Sequence, residues 1–190
     1  MRAGAVLAPG YGGTAAQPIL RALAARLEAM DVAARPITFS TRGSRPSAGY
    51  ATELADLRAA RDALRSEGEM PVVLVGRSFG GRMCAFLAAI EPPAALVILS
   101  HPIAPPGRPR PRDEAALLAV TCPTLVVQGE EDELGPLPIL RRIAARKPDL
   151  DLVVIAGAGH DLGARGEREA VEHVARWIEA VLVSLPAAPD

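Results

Sequence analysis

Short hydrophobic runs alternate with amphipathic stretches six times along the chain. Four of the six runs are almost entirely aliphatic, which is typical of parallel strands that are buried on both faces of a sheet. We therefore predict six strands, at Ala3–Ala8, Ala33–Phe39, Val72–Val75, Ala94–Leu99, Thr124–Gln128 and Leu150–Ile155.

Six helices are predicted between and after these runs. The last helix places Val171, Val174 and Ile178 on a single face, at the spacing of an amphipathic helix. The helices are expected at Gln17–Met30, Ala51–Ser66, Gly80–Ile90, Asp113–Leu118, Pro138–Ala145 and Glu167–Leu185.

Strands and helices that alternate in this way predict an α/β fold. The expected architecture has three layers, with a doubly wound, six-stranded and mainly parallel sheet that carries helices on both faces. A chain of 190 residues, 49% of them hydrophobic, is long enough for one domain with a full core. We predict a single domain over residues 1–186 and a frayed C-terminal tail at 187–190.

Charge and cysteine content narrow the class of protein. The formal net charge of -1 provides no global field that would attract nucleic acid or an anionic membrane, so neither is an expected partner. No apolar run approaches the roughly 20 residues that span a bilayer. The two cysteines, Cys84 and Cys122, form no metal-binding pattern, so we expect no zinc site, no disulfide and a cytoplasmic location.

The strongest chemical signal is the pentapeptide GRSFG at Gly76–Gly80. It matches G-x-S-x-G, follows the predicted strand at Val72–Val75 and precedes a predicted helix, which is the context of a nucleophile elbow. In such a turn the serine hydroxyl stands clear of the sheet, and the glycines let neighbouring backbone pass close by. Ser78 is therefore the predicted nucleophile, while Arg77 and Arg82 are expected to form salt bridges in the scaffold.

A serine nucleophile needs a base, and the chain has three histidines. The carboxyl ends of parallel strands share the edge of the sheet where ligands bind, so His160, which follows the last strand, is the predicted base. His101 also follows a strand, but it precedes every candidate acid, and we expect it to line the pocket or to lie in a simple loop. His173 is expected on the solvated side of the last helix.

The acid is expected after the fifth strand, where four carboxylates lie together at Glu130–Glu133. One of them must turn inward to accept a hydrogen bond from His160, and spacing alone does not choose among the four. Asp161 adjoins His160 in the sequence, which points the two side chains apart, so we expect Asp161 to serve as a turn or cap residue.

Two backbone N–H groups are expected to stabilise an oxyanion beside Ser78. Phe79, the residue after the nucleophile, supplies one, and the glycine-rich turn Pro9–Gly13 supplies the other, with Tyr11 as the candidate. A phosphate-binding turn is disfavoured, because this segment lacks both the Lys-Ser/Thr ending of a P-loop and the full G-x-G-x-x-G of a dinucleotide-binding turn.

These motifs, in this order and over nearly the whole chain, resemble the α/β-hydrolase superfamily. Within it the chain is similar to the small members described as dienelactone-hydrolase-like or KANL3/Tex30-like, through Ala8–Gly10 (APG), Gly76–Arg82 (GRSFGGR) and Pro105–Gly107 (PPG). The resemblance implies that the acid occupies the last position of a G-x-x-D turn, which is Asp132 after Gly129.

The chain departs from the superfamily in three places. Two further strands commonly precede the first strand found here, and dienelactone hydrolases use a cysteine where this chain has Ser78. Larger members insert a lid after the fourth strand, where this chain has only Pro102–Arg112, with five prolines and three arginines. The resemblance thus implies a minimal α/β-hydrolase without a lid domain, with an open pocket. We expect the three arginines to solubilise an exposed loop rather than to bind an anionic substrate or a partner protein.

The substrate pocket is expected to include Gly10, Phe39 and His101. Half of the six aromatic residues, Tyr11, Phe39 and Phe79, are expected near this pocket. Their presence supports a small apolar acyl site and ordinary packing at strand ends equally.

The predicted function is that of a serine hydrolase that cleaves small carboxylic ester or thioester substrates through an acyl-serine intermediate. Ser78 attacks, His160 transfers the proton and Asp132 orients the imidazole, and neither a metal nor a cofactor is expected. The expected partner is a small-molecule ester, and a homodimer is a further expectation. Two alternatives stay open: a non-catalytic interaction module on a hydrolase fold, and an acyltransferase that uses the same three residues.

Overall fold

The structure, a computed structural model, describes residues 3–68 and 70–185. Six parallel strands form one sheet in the order β2-β1-β3-β4-β5-β6. The strands are β1 (Ala3–Ala8), β2 (Val32–Pro36), β3 (Val72–Arg77), β4 (Ala95–Leu99), β5 (Thr124–Gly129) and β6 (Leu150–Ile155). The strand order reverses between β1 and β3, and this reversal creates a crevice at the carboxyl ends of these two strands.

Helices cover both faces of the sheet and separate two hydrophobic cores. The helices are α1 (Pro18–Glu28), α2 (Ala51–Ser66), α3 (Phe79–Ala88), α4 (Pro111–Ala119), α5 (Leu137–Ala144) and α6 (Gly163–Ser184), and a short 3₁₀ helix lies at Ala48–Tyr50. Helices α1 and α6 pack on one face, and α2 to α5 pack on the other. Successive strand residues such as Val73 and Leu74 enter opposite cores, which explains why the strands are aliphatic along their length. The predicted three-layer α/β architecture is therefore confirmed.

Several element boundaries differ from the sequence prediction, and three of these differences have a clear local cause. Strand β2 ends at Pro36 rather than Phe39, because its only neighbour, β1, ends at Ala8 and offers no further backbone to pair with. Helix α6 begins at Gly163 rather than Glu167, since glycine-rich first turns lack the apolar pattern that predicts a helix. Helix α4 begins at Pro111, and proline is well tolerated in the first turn of a helix.

The segment Pro102–Arg112 is less uniform than the sequence suggested. Pro102 and Ile103 are buried, whereas Pro106–Pro109 is exposed. The expectation of an exposed loop was therefore wrong for the start of this segment. After β4 the chain packs against the loop that follows β5, where the Ala104 N–H donates to the carbonyl of Leu134 at 3.0 Å.

No helix within residues 3–68 and 70–185 is long and apolar enough to cross a membrane. The C-terminal tail predicted at 187–190 lies outside the described residues.

Candidate active site

Ser78 occupies a strained turn at the carboxyl end of β3. Its backbone has φ 51° and ψ -111°, a conformation that is rare for a residue with a side chain, and it is the N-cap residue of α3. The Ser78 N–H donates to the carbonyl of Leu99 on β4, at 2.8 Å. The turn is thereby fixed to the sheet and raises the hydroxyl above the crevice between β1 and β3.

The glycines around Ser78 are required by close backbone packing. A Cβ atom at Gly76 would lie 2.4 Å from the backbone of Gly80 and Gly81. A Cβ atom at Gly80 would lie 2.5 Å from the carbonyl oxygen of Ala8 on β1. No side chain fits at either position, so the two glycines allow the tight path from β3 into α3.

A continuous chain of hydrogen bonds joins Ser78, His160 and Asp132. Ser78 Oγ lies 2.8 Å from His160 Nε2, and His160 Nδ1 lies 2.8 Å from Asp132 Oδ2. Because an ionised carboxylate only accepts hydrogen bonds, Nδ1 is assigned the proton, and Nε2 is left to accept the proton of Ser78. This is the tautomer that general-base activation of a serine requires.

Backbone contacts hold the acid-bearing loop and the base-bearing loop together. The Glu131 N–H donates to the carbonyl of Ala158 at 2.8 Å, and the Gly157 N–H donates to Glu130 Oε2 at 2.9 Å. The loops after β5 and β6 therefore form one unit, which fixes His160 relative to Asp132.

Burial separates Asp132 from its three acidic neighbours. The side chains of Glu130, Glu131 and Glu133 are exposed, whereas Asp132 is only 3% exposed. Asp132 Oδ1 accepts a hydrogen bond from the Leu134 N–H at 2.9 Å. Of the four carboxylates left open by spacing, Asp132 is the one that contacts His160.

Gln128 is a site residue that the sequence analysis missed. Its amide Nε2 donates to Asp132 Oδ2 at 2.6 Å and to the carbonyl of Gly135 at 3.1 Å, and its Oε1 accepts the His101 N–H at 2.7 Å. Gln128 lies at the end of a buried strand, where a polar residue is unusual. That polarity is the one signal in the sequence that indicated a role for it.

The backbone N–H groups of Tyr11 and Phe79 flank the crevice between β1 and β3. Neither group donates to an acceptor within residues 3–68 and 70–185, so both remain available as hydrogen-bond donors. The turn that carries Tyr11 is braced by Gln17, whose Oε1 accepts the Gly10 N–H at 3.0 Å. Gln17 is a second glutamine that sequence reasoning did not single out.

A cavity of about 340 Å³ opens next to these N–H groups. Gly10 and Phe39, the two residues predicted for a substrate pocket, line this cavity together with Tyr11 and Phe79. The ring of Phe79 contacts those of Tyr11 and Phe39 edge to face, at centroid distances of 5.9 and 5.6 Å. The remaining wall consists of Gly12, Gly13 and the segment Thr41–Pro46, which carries Arg42 and Arg45; the full lining contains no carboxylate.

The expectation that His101 lines the pocket was wrong. Its side chain is completely buried and is not among the residues that line the cavity. The chain turns inward at Ser100, where φ is 53°, and Gly135 packs directly on the His101 carbonyl. Burial lowers the pKa of His101 to about 4, so the imidazole is neutral at pH 7.

The two scaffold arginines behave differently. Arg82 forms the predicted salt bridge, a buried pair with Asp113 that it contacts through two nitrogens. Arg77 forms no ion pair within the described ranges, and its Nη2 instead donates weakly to the carbonyl of His160 at 3.4 Å. The salt-bridge prediction for Arg77 was therefore wrong, because this side chain passes beneath the site rather than across the surface.

Two of the three arginines in the segment Pro102–Arg112 contact other residues of the chain. Arg110 Nη1 donates to the carbonyl of Pro102 at 2.7 Å, and the guanidinium of Arg112 lies 4.9 Å from the ring centre of Phe86. On α6, His173 is half-exposed, with Nε2 at 3.9 Å from a Glu169 carboxylate oxygen.

Comparison with known proteins identifies the family to which this fold belongs. The chain matches the family described as "Alpha/beta hydrolase domain" over residues 1–184, and it matches no curated protein. An α/β serine hydrolase homologue from Coxiella burnetii is 24% identical, with a TM-score of 0.76 and coverage of 93% of this chain and 85% of that chain.

Two further solved structures have the same fold. Est1E from Butyrivibrio proteoclasticus is 19% identical, with a TM-score of 0.79 and coverage of 96% of this chain and 89% of that chain. XC6422 from Xanthomonas campestris, described as an α/β serine hydrolase without lid, is 21% identical, with a TM-score of 0.72 and coverage of 98% and 84%. These matches do not distinguish the narrower dienelactone-hydrolase-like or KANL3/Tex30-like group, so membership in that group stays a prediction. The family match over nearly the whole length shows that this chain belongs to the α/β-hydrolase domain family.

Proposed function

We propose that the protein is a serine hydrolase that cleaves small carboxylic esters or thioesters through an acyl-serine intermediate. The observation that carries this proposal is the hydrogen-bonded chain Ser78–His160–Asp132, with both donor–acceptor distances at 2.8 Å. Membership in the α/β-hydrolase domain family supports hydrolysis as the general activity.

In the first half of the proposed reaction, Ser78 Oγ attacks the carbonyl carbon of the substrate while its proton passes to His160 Nε2. The carbonyl oxygen becomes an oxyanion and accepts hydrogen bonds from the N–H groups of Tyr11 and Phe79, each worth about 3 kcal/mol of transition-state stabilisation. Asp132 stabilises the imidazolium. The bond from the carbonyl carbon to the leaving oxygen or sulfur then breaks, and the leaving atom takes the proton from Nε2.

In the second half, a water molecule gives a proton to His160 Nε2 and attacks the acyl-serine. Collapse of the second tetrahedral intermediate releases the carboxylic acid and returns the proton to Ser78. The His160 side chain is 25% exposed, so water reaches the base directly. This exposure favours hydrolysis over transfer of the acyl group to another acceptor.

The cavity also supports a proposal for which part of the substrate it holds. The leaving atom must lie beside His160 Nε2 to receive its proton, so the acyl group points away from His160. The cavity is lined by Tyr11, Phe39 and Phe79 but not by Ser78 or His160, which supports this direction for the acyl group. Its volume and aromatic wall favour a short acyl group, with the leaving group directed toward solvent.

The test is covalent labelling with a fluorophosphonate probe, combined with turnover of p-nitrophenyl acetate and butyrate. We expect the wild-type protein to be labelled and active, and Ser78→Ala to lose both properties. Ser66→Ala is the matched control, because Ser66 is an exposed serine on α2, and it should behave as the wild type. A folded wild-type protein that is neither labelled nor active would contradict the proposal and favour a non-catalytic interaction module.

A further inference from the structure

We infer that Gln128 is a positioning residue that sets the orientation of the Asp132 carboxylate and, through it, the imidazole of His160. The inference rests on the proposed acyl-serine function, which it deepens by adding a residue that no sequence motif identifies.

The position of Gln128 is unusually well defined. It precedes the last residue of β5, and its side chain is completely buried. The amide oxygen accepts one hydrogen bond, from the His101 N–H at 2.7 Å, and both hydrogens of the amide nitrogen are donated, to Asp132 Oδ2 and the Gly135 carbonyl. A buried amide with its donors satisfied has little freedom to rotate.

Only one orientation of the Gln128 amide is compatible with its surroundings. The His101 N–H is a donor, so it must face the amide oxygen, and the Gly135 carbonyl is an acceptor, so it must face the amide nitrogen. A flipped amide would place two donors against each other at His101 and two acceptors against each other at Gly135. The backbone therefore forces an N–H toward Asp132.

This N–H determines how the carboxylate of Asp132 is arranged. Oδ2 accepts from both Gln128 and His160, and Oδ1 accepts from the Leu134 N–H. Donors from two backbone-fixed groups hold the carboxylate plane, so Oδ2 stays directed at Nδ1 of the imidazole. Without Gln128, only the Leu134 N–H would hold the plane of the Asp132 carboxylate. The imidazole of His160 would then face an acceptor whose orientation is no longer fixed.

Substitution by methionine or glutamate separates this role from general packing. Gln128→Met keeps the length of the side chain and removes its hydrogen bonds. Gln128→Glu keeps the shape, but it donates to Asp132 only when the new carboxyl is protonated, and when ionised it repels Asp132.

We expect the Met variant to lower kcat about 30-fold with little change in KM, the scale on which small misplacements of catalytic groups act. The Glu variant should gain an extra decline in kcat as the pH rises.

The matched control is Thr124→Val at the other end of the same strand. Thr124 is also completely buried, and its Oγ1 donates to the Cys122 carbonyl at 2.9 Å, far from the carboxyl edge of the sheet. This variant loses a buried hydrogen bond on β5 and should retain the kcat and the pH profile of the wild type. Melting temperatures of all variants show how much stability each one loses.

A double-mutant cycle with Asp132→Asn tests whether Gln128 acts through Asp132. If it does, Gln128→Met lowers kcat much less in the Asn background than in the wild type, since the partner is already altered. Equal, additive losses in both backgrounds would overturn the inference, as would a Met variant with the kcat of Thr124→Val.

A proton NMR measurement makes the inference independent of activity. The wild type should show a strongly downfield resonance from the proton between His160 Nδ1 and Asp132, and this resonance should shift or broaden in Gln128→Met but not in Thr124→Val. An unchanged resonance in Gln128→Met would overturn the inference while the proposed function stands. A wild-type protein that shows the resonance and its dependence on Gln128, but is neither labelled nor active, would contradict the proposed function and support the positioning role.

Discussion

On one side of Ser78 the carboxylate of Asp132 is buried and accepts three hydrogen bonds, whereas on the other side Tyr11 leaves 68% of its surface exposed. The first side, which we term the acid side, comprises the loops after β5 and β6. The second, the open side, comprises the glycine-rich turn Pro9–Gly13 and the segment Phe39–Ser47. The acid side is packed within the fold, and the open side is built on its surface.

The open side is nevertheless anchored, by carboxylates of helix α2. Glu53, which is completely buried, accepts hydrogen bonds from Thr41 Oγ1 at 2.7 Å and from the Ser47 N–H at 3.0 Å. Asp56 accepts from the backbone and the hydroxyl of Ser40, both at 2.8 Å. The difference teaches that the groups proposed to transfer protons are fixed by the core, whereas the groups proposed to contact a substrate lie on a surface loop that is held only at its ends.

The largest effect is expected when the acid side loses its carboxylate. Asp132→Asn should lower kcat on p-nitrophenyl butyrate by about 10⁴-fold, because an amide at this position no longer holds the His160 tautomer. Glu131→Gln removes an exposed carboxylate one residue away and should leave kcat unchanged. Equal activity of the two variants would remove Asp132 from the mechanism.

Glycine substitutions compare how tightly the two sides are packed. A Cβ at Gly129 would lie 2.4 Å from the carbonyl oxygens of Ala158 and Gly159, so Gly129→Ala must push the two acid-side loops apart, at a cost of about 3 kcal/mol. A Cβ at Gly10 first meets the tip of Arg77 at 3.0 Å, which can move, so Gly10→Ala should cost less than about 1 kcal/mol. Urea unfolding measures both, and a reversed order would refute the comparison.

Lowering the pH should destabilise the protein through His101, whose buried imidazole lies behind the loops of the acid side. Its pKa in the folded state is about 4, below the ordinary 6.5, so between these values the unfolded chain binds a proton that the folded protein does not. The free energy of unfolding should therefore fall as the pH drops from 6.5 to 4, by up to about 1.4 kcal/mol per pH unit.

His101→Leu should flatten this dependence, whereas His173→Gln, at a half-exposed histidine on α6, should leave it unchanged. Chemical unfolding at a series of pH values measures both. Parallel curves for the wild type and His101→Leu would contradict a buried, neutral imidazole.

The smallest effect is expected on the open side. Arg42 and Arg45 line the cavity without a carboxylate beside them, so an ester whose acyl group carries a carboxylate should be favoured over its neutral counterpart. Replacing both arginines by glutamine should lower kcat/KM for monoethyl glutarate about 3-fold, the scale of exposed charge pairs, and leave ethyl butanoate unaffected. Added salt should produce the same loss in the wild type.

Arg141→Gln with Arg146→Gln is the control for net charge, since both side chains are exposed on or after α5. A similar loss in this control variant would show that the total charge, and not the cavity wall, is responsible.

Much of the fold was predictable because strands and helices differ in hydrophobic period. The rule that parallel strand ends share one edge also predicted that residues 82 positions apart, Ser78 and His160, would meet. Spacing could not distinguish Asp132 from its neighbours, because burial there depends on backbone hydrogen bonds such as that from Glu131 to Ala158. His101 was misplaced for a similar reason, since a single residue in the left-handed region turns the chain inward.

The roles of the two glutamines of the site could not be predicted from the sequence, because these roles depend on contacts across the fold. Gln17, at the start of α1, contacts the glycine-rich turn Pro9–Gly13, and Gln128, on β5, contacts Asp132. Glutamine is a common residue with no motif attached to it. Only its polarity beside the aliphatic residues Leu125–Val127 distinguished Gln128, and a predicted strand that ended one residue earlier would have removed even that signal.

Phe79 joins the two sides, and this has a consequence for any attempt to change substrate preference. Its backbone N–H faces the proposed oxyanion, while its ring contacts Tyr11, Phe39 and Tyr50 in three edge-to-face pairs. Substitution of Phe79 is therefore expected to alter selectivity and rate together, whereas substitution of Phe39 is expected to act mainly on the cavity. A library for directed evolution of this scaffold is best diversified at Phe39 and at residues 42–46, with Phe79 and the anchoring Thr41 kept constant.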